Sequence, residues 1–158
     1  MRKFFLISLP LVFVAFCSAC QNAQDFLLVN SSNNPLEVYL EFKSDKHEPP
    51  HRVINFKSLK NGSQEWQEIS GDQIKINPEK RFAKIVLQPD QALLVAFIIY
   101  GSSSELTDEV RSSGLNIQKL TLNGSNGSIT FEGDFIYRQF EQVSIGWFGL
   151  TTNIINYR

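Results

Sequence analysis

The chain has 158 residues and a formal net charge of −1, with 42% hydrophobic and 20% charged residues. That balance excludes a disordered chain, and the lack of any basic cluster points away from nucleic acid and anionic lipid headgroups as partners. The two cysteines, Cys17 and Cys20, both lie near the start, so the rest of the chain offers no disulfide, thiolate catalyst or cysteine-based metal site. Arg2 and Lys3 open the chain, residues 4–16 are apolar apart from Ser8 and Pro10, and small Ser18 and Ala19 precede Cys20. This is the order of a secretory signal peptide, whose apolar region runs over about 7–15 residues. A membrane-spanning helix needs about 20 apolar residues, and polar Gln21, Asn22 and Gln24 stop the run from extending.

Cys17-Ser18-Ala19-Cys20 resembles the lipobox of bacterial lipoproteins, in which small residues precede a cysteine that becomes the new N-terminus. The resemblance covers residues 1–20 only. It implies removal of residues 1–19, acylation of Cys20 by palmitate-class chains, and a membrane anchor at that residue. Gln21 is not the aspartate that retains such proteins at the inner membrane, so the resemblance implies an outer-membrane lipoprotein facing the periplasm. Cys17 stands where the class usually carries an aliphatic residue. Cleavage after Ala19 without acylation, giving a plain secreted protein, is therefore the alternative. Subtracting 19 leader residues from 158 leaves 139, the size of one domain, and loss of Arg2 and Lys3 takes the formal charge from −1 to −3. Nine of the thirteen phenylalanines stay to build a core.

Residues 20–24 read as a short lipidated tether and 25–158 as the domain. Residues 25–30 are the first candidate strand, followed by the turn cluster 31–35. Leu36, Val38, Leu40 and Phe42 then alternate with Glu37, Tyr39, Glu41 and Lys43. A period of two with a polar reverse face predicts a half-buried strand. Residues 52–59 and 64–69 flank Asn61-Gly62 and predict a hairpin. Short strands follow at 73–76 and 82–88. Residues 92–100 are almost wholly apolar and predict a central strand buried on both faces. Residues 102–114 break the pattern, with capping-box spacing between Ser102 and Glu105, and allow one short helix or a loop. Residues 115–122 and 128–131 surround Asn123-Gly124-Ser125-Asn126-Gly127 as a second hairpin. Strands at 135–140, 143–147 and 150–157 complete the set. Many short strands with regular turn signals predict a single all-β domain, an antiparallel β-sandwich of immunoglobulin-like outline or a small barrel.

No catalytic constellation stands out. His47 and His51 fall in a segment with Pro49 and Pro50, which oppose the helix that would align them on a metal. The carboxylate pairs Glu65/Glu68 and Asp108/Glu109 sit in polar, turn-rich stretches with nothing to desolvate one member. Gly101-Ser102-Ser103-Ser104 lacks the lysine of a phosphate loop, and no G-x-S-x-G is present. Asn30, Asn61, Asn123 and Asn126 each begin a glycosylation sequon and are read as turn residues. Trp147 and Phe148, between Gly146 and Gly149, are the candidate partner-binding aromatics, with packing into the core as the alternative. Tyr39 and Trp66 are weaker candidates of the same kind. The reading is a non-catalytic, membrane-anchored envelope protein with a binding or scaffolding role, no cofactor, no metal, and an envelope protein as partner. A small-molecule or lipid carrier and an envelope-polymer hydrolase are the rivals.

Overall fold

The computed structural model describes residues 22–44, 52–62, 65–77, 79, 81–100, 114–145 and 150–158. Eleven strands form two sheets: β1 (Asn22–Asn30), β2 (Leu36–Phe42), β3 (Arg52–Asn55), β4 (Gln67–Glu68), β5 (Ile74–Asn77), β6 (Phe82–Leu87), β7 (Gln91–Tyr100), β8 (Ile117–Gly124), β9 (Gly127–Glu132), β10 (Glu141–Ile145) and β11 (Leu150–Tyr157). The six-stranded sheet has the order β10-β11-β1-β7-β3-β4 and the five-stranded sheet β5-β6-β2-β8-β9. The domain is therefore an all-β sandwich and not a closed barrel. Its pairings are antiparallel except one: β1 and β11 run parallel, with Phe26 beside Asn153 and Leu28 beside Ile155.

The alternating strands behave as their pattern demands. In β2, Leu36, Val38, Leu40 and Phe42 are buried, while Glu37, Tyr39 and Glu41 face outward. Ala83, Ile85 and Leu87 of β6, with Ile117, Leu120 and Leu122 of β8, extend the same inner face. Phe26, Leu28, Leu93, Ile155 and Tyr157 answer from the six-stranded sheet. Full burial of one such side chain contributes about 1.5–3 kcal/mol, so this layer is the main source of stability.

β1 starts at Asn22, so residues 22–24 belong to the sheet rather than to a tether. It lies between β7 and β11 and is buried on both faces. Phe26 and Leu28 enter the inter-sheet layer, whereas Leu27 and Val29 join a second cluster with Ile54, Phe56, Ala92 and Ile154. Two buried faces explain its unbroken Phe26-Leu27-Leu28-Val29 run. The two-faced burial expected along the whole of β7 holds only at its start. Ala92 and Leu93 are buried, but β3 pairs with β7 only from Asn55 to Val53, and the register with β1 slips at Phe26/Leu27. Beyond that point Phe97 is 56% exposed.

Two segments read as strands are helical. Residues 56–60 form α1 (Phe56–Lys60) in place of the end of a hairpin strand. The Asn55 side chain caps it, accepting from the Ser58 N–H at 3.0 Å, and Asn61-Gly62 closes it, with Gly62 at φ +87°. The Asn-Gly pair is thus a helix stop. β3 and β4 still pair antiparallel, but across the helix. Phe56, with partly buried Leu59 and Trp66, covers the outer face of the six-stranded sheet. Residues 135–140 form parts of two 3₁₀ turns, Gly133–Phe135 and Tyr137–Gln139. Ile136 and Phe140 are buried four residues apart, which is a helical spacing. The Phe140 ring packs edge-on against Phe26 at 5.1 Å.

The second hairpin forms as expected. Gly124 faces Gly127 across the two-residue loop Ser125-Asn126, and Gly127 adopts φ +115°. Gly124 also lets the hairpin pass close to the other sheet. A β-carbon there would lie 2.7 Å from Cε1 and Cζ of the buried Tyr157 ring. Gly124→Ala is expected to cost about 1–3 kcal/mol by overpacking, measured as a lower denaturation midpoint. Gly71→Ala, where nothing lies within 4 Å, is the control for the method.

Candidate functional site

Cys20, Trp147 and Phe148 lie outside the described residues, as do His47, His51, Asp108 and Glu109. The strand ends that flank the first three do come together. Asn22, two residues after Cys20, pairs with Tyr100 at the end of β7. β11 runs parallel to β1 and starts at Leu150, which pairs with Ile145 at the end of β10. The candidate anchor and the candidate aromatic corner therefore leave from one end of the six-stranded sheet.

At that end the described residues build a polar clasp between the first and last strands. Gln24 and Asn153 are both buried, and the Asn153 amide donates to Gln24 Oε1 at 2.8 Å. The same amide reaches the Asp25 carbonyl at 3.4 Å, and the Thr152 hydroxyl donates to that carbonyl at 3.0 Å. A buried amide pair satisfied in this way fixes register, because slipping one residue would orphan its donors and acceptors. These residues went unnoticed in the sequence. The signal was a polar Thr152-Asn153 inside an otherwise apolar last strand, opposite polar residues 22–24.

Asp25 is the titratable group of this clasp. Burial raises its carboxyl above the ordinary carboxylate value. Ionisation is then harder in the folded state than in the unfolded one. The folded state thus loses stability as pH rises from the unfolded pKa through the raised folded pKa, and is free of that cost below both. Asp25→Asn is expected to melt higher than wild type at pH 7, with the difference vanishing at pH values below the carboxylate range. A pH-independent difference between the two melting curves would contradict this assignment.

Elsewhere the nominated residues serve structure. Tyr39 is half-buried on the outer face of the five-stranded sheet; its hydroxyl donates to Glu37 Oε2 at 2.6 Å and its ring lies 5.9 Å from Phe82. Lys84 donates to the other Glu37 oxygen, and this bond together with the Tyr39 hydroxyl lowers the Glu37 carboxyl and raises the Lys84 ammonium. Trp66 packs on the outer cluster. Glu65 and Glu68 are exposed. Asn30 is fully buried and gives its amide to Asn34 O at 2.8 Å and Leu87 O at 3.0 Å, so it organises the β1–β2 turn. Asn61 caps α1, while Asn123 and Asn126 lie in the second hairpin.

Among the described residues no cluster of three His, Cys, Asp or Glu side chains has metal-binding geometry, and no helix is long and apolar enough to cross a membrane. Compared with known protein families, curated proteins and solved structures, the chain matches none.

Proposed function

We propose that the protein is an outer-membrane lipoprotein facing the periplasm, held by acyl chains on Cys20, whose sandwich acts as a non-catalytic binding or scaffolding domain. The observation that carries this reading is the start of β1 at Asn22. Cleavage ahead of Cys20 spares the whole of a strand that is paired on both sides, so processing and folding are compatible. A lipid on Cys20 would be joined to the sheet through Gln21 alone, about 7 Å of extended chain, and would keep the domain at the bilayer surface.

A filled inter-sheet layer supports the scaffold over the carrier. Leu28, Leu40, Ile85, Leu93 and Leu120 are each fully buried in it, where a carrier needs an apolar cavity. Trp147 and Phe148 are the proposed partner contacts, on the segment between Ile145 and Leu150. A photo-crosslinking residue in place of Trp147 in intact envelopes is expected to capture a second envelope protein. Products containing only this chain would sink the scaffolding role.

A further inference from the structure

Four strands stand at sheet edges, and three are guarded in the ways that prevent strand-to-strand association. β4 has two residues. β5 has four, with Lys75 in the middle and Pro78 directly after it. β10 carries Glu141, Gln142 and Ser144. β9 is different: Gly127-Ser128-Ile129-Thr130-Phe131-Glu132 has neither lysine nor proline, and only its last residue is charged.

The layer behind β9 is also open. Ile129 and Phe131 pair with Leu122 and Leu120, two fully buried residues, and so point toward the inside of the sandwich. Yet Ile129 is 47% exposed. β10 reaches only to Ile154, which leaves residues 155–157 of β11 with β1 as their paired strand. A groove of about 400 Å³ results, lined by Ile129, Phe131, Ile155, Tyr157 and Arg158 among others. Its apolar wall belongs to the core layer and lacks a cover.

We propose that β9 pairs antiparallel with β9 of a second copy across a two-fold axis at Thr130, joining two five-stranded sheets into one of ten. A two-fold axis perpendicular to the sheet keeps inner faces together only when residues of the same face oppose each other. Centring on Thr130 meets that condition. Ile129 falls opposite Phe131 of the partner subunit, and each covers the other's groove. On the outer face the hydroxyl contact between Thr121 and Thr130, 3.0 Å long, continues across the axis.

Charge selects a second copy over an arbitrary peptide. Arg158 sits at the Gly127 end of β9, where its carbonyl accepts from the Asn126 amide at 3.2 Å. Glu132 and Asp134 sit at the opposite end. Antiparallel pairing brings the basic end of each copy to the acidic end of the other. The proposal is independent of the lipid anchor and compatible with it. An axis perpendicular to the sheet holds both copies of Cys20 at one height, with the strands lying along the bilayer.

The test uses the full chain extracted in mild detergent. Thr130 and Ser128 are both exposed, so their substitution leaves the core intact. On oxidation Thr130→Cys is expected to give about tenfold more cross-linked dimer than Ser128→Cys, because only the first cysteine meets its own copy within disulfide reach. The unsubstituted chain, with its own two cysteines, sets the baseline. In sedimentation the unsubstituted chain is expected as a dimer and Thr130→Lys, which sets two ammonium groups face to face, as a folded monomer. A monomeric unsubstituted chain, or equal crosslinking of the two cysteine variants, overturns the proposal.

Discussion

Cells grown with an alkyne fatty acid are expected to label the unsubstituted protein, and Cys20→Ala is expected to lose the label completely. Each buried methylene contributes about 0.8 kcal/mol, and one acyl chain binds only marginally, so two or three chains on one residue separate a permanent anchor from none. The label is the deciding measurement, because an uncut apolar leader would keep the variant in the membrane pellet by itself. Where the leader is cut after Ala19, the variant is expected in the soluble fraction. Unlabelled wild-type protein would instead establish the plain secreted form. Labelling that survives the substitution would place the acyl group elsewhere.

Phe26→Ala is expected to cost about 3–5 kcal/mol, the usual range for truncating a fully buried phenylalanine. Phe26 is fully buried on the strand between β7 and β11, and its ring meets Phe140 edge-on, a contact that adds about 0.5–1.5 kcal/mol beyond area. Domains of this kind are stable by only about 5–15 kcal/mol, so the variant stands near the limit of folding. Denaturant titration is expected to show a lower midpoint with an unchanged slope. Phe97→Ala, at a site 56% exposed, is expected to change stability by no more than about 0.5 kcal/mol. Equal losses at the two positions would contradict the placement of β1 at the centre of the sheet.

Both variants bear on the same short stretch. If Cys20 carries lipid, the membrane force reaches the fold through a strand held by two neighbours and by the Gln24–Asn153 clasp. Stability of the anchor end and retention at the membrane are then linked, and Asp25, raised by burial, makes the first of them sensitive to pH.

The strands that alternate were legible in the sequence. β2, β6 and β11 begin and end within about one residue of their expected bounds, because a face of buried residues two apart admits one local structure. Where the apolar pattern was short and lacked alternation, it was ambiguous. Residues 56–60 contain Phe56 and Leu59, which suit a strand or a helix equally, and the Asn55 cap together with the space over the outer cluster decided for a helix. Residues 136 and 140 have helical spacing that a reading centred on the aromatics passed over. The second hairpin was legible from its glycines, while Asn61-Gly62 carried the same signal for a different purpose, since a left-handed residue serves a helix stop as well as a hairpin turn.

The all-β class, the strand-by-strand inner face of the five-stranded sheet and the motif at Cys20 were all determined by residue order alone, since periodicity and short motifs are local properties. Pairing is not local. That β1 lies parallel to β11, that Gln24 finds Asn153 across the chain, that β7 leaves Phe97 in solvent and that β9 faces an open groove were decided only when strands distant in sequence met. The physical reason is that an edge, a clasp or a covered face is defined by its neighbour, and no residue carries its neighbour's identity in its own pattern.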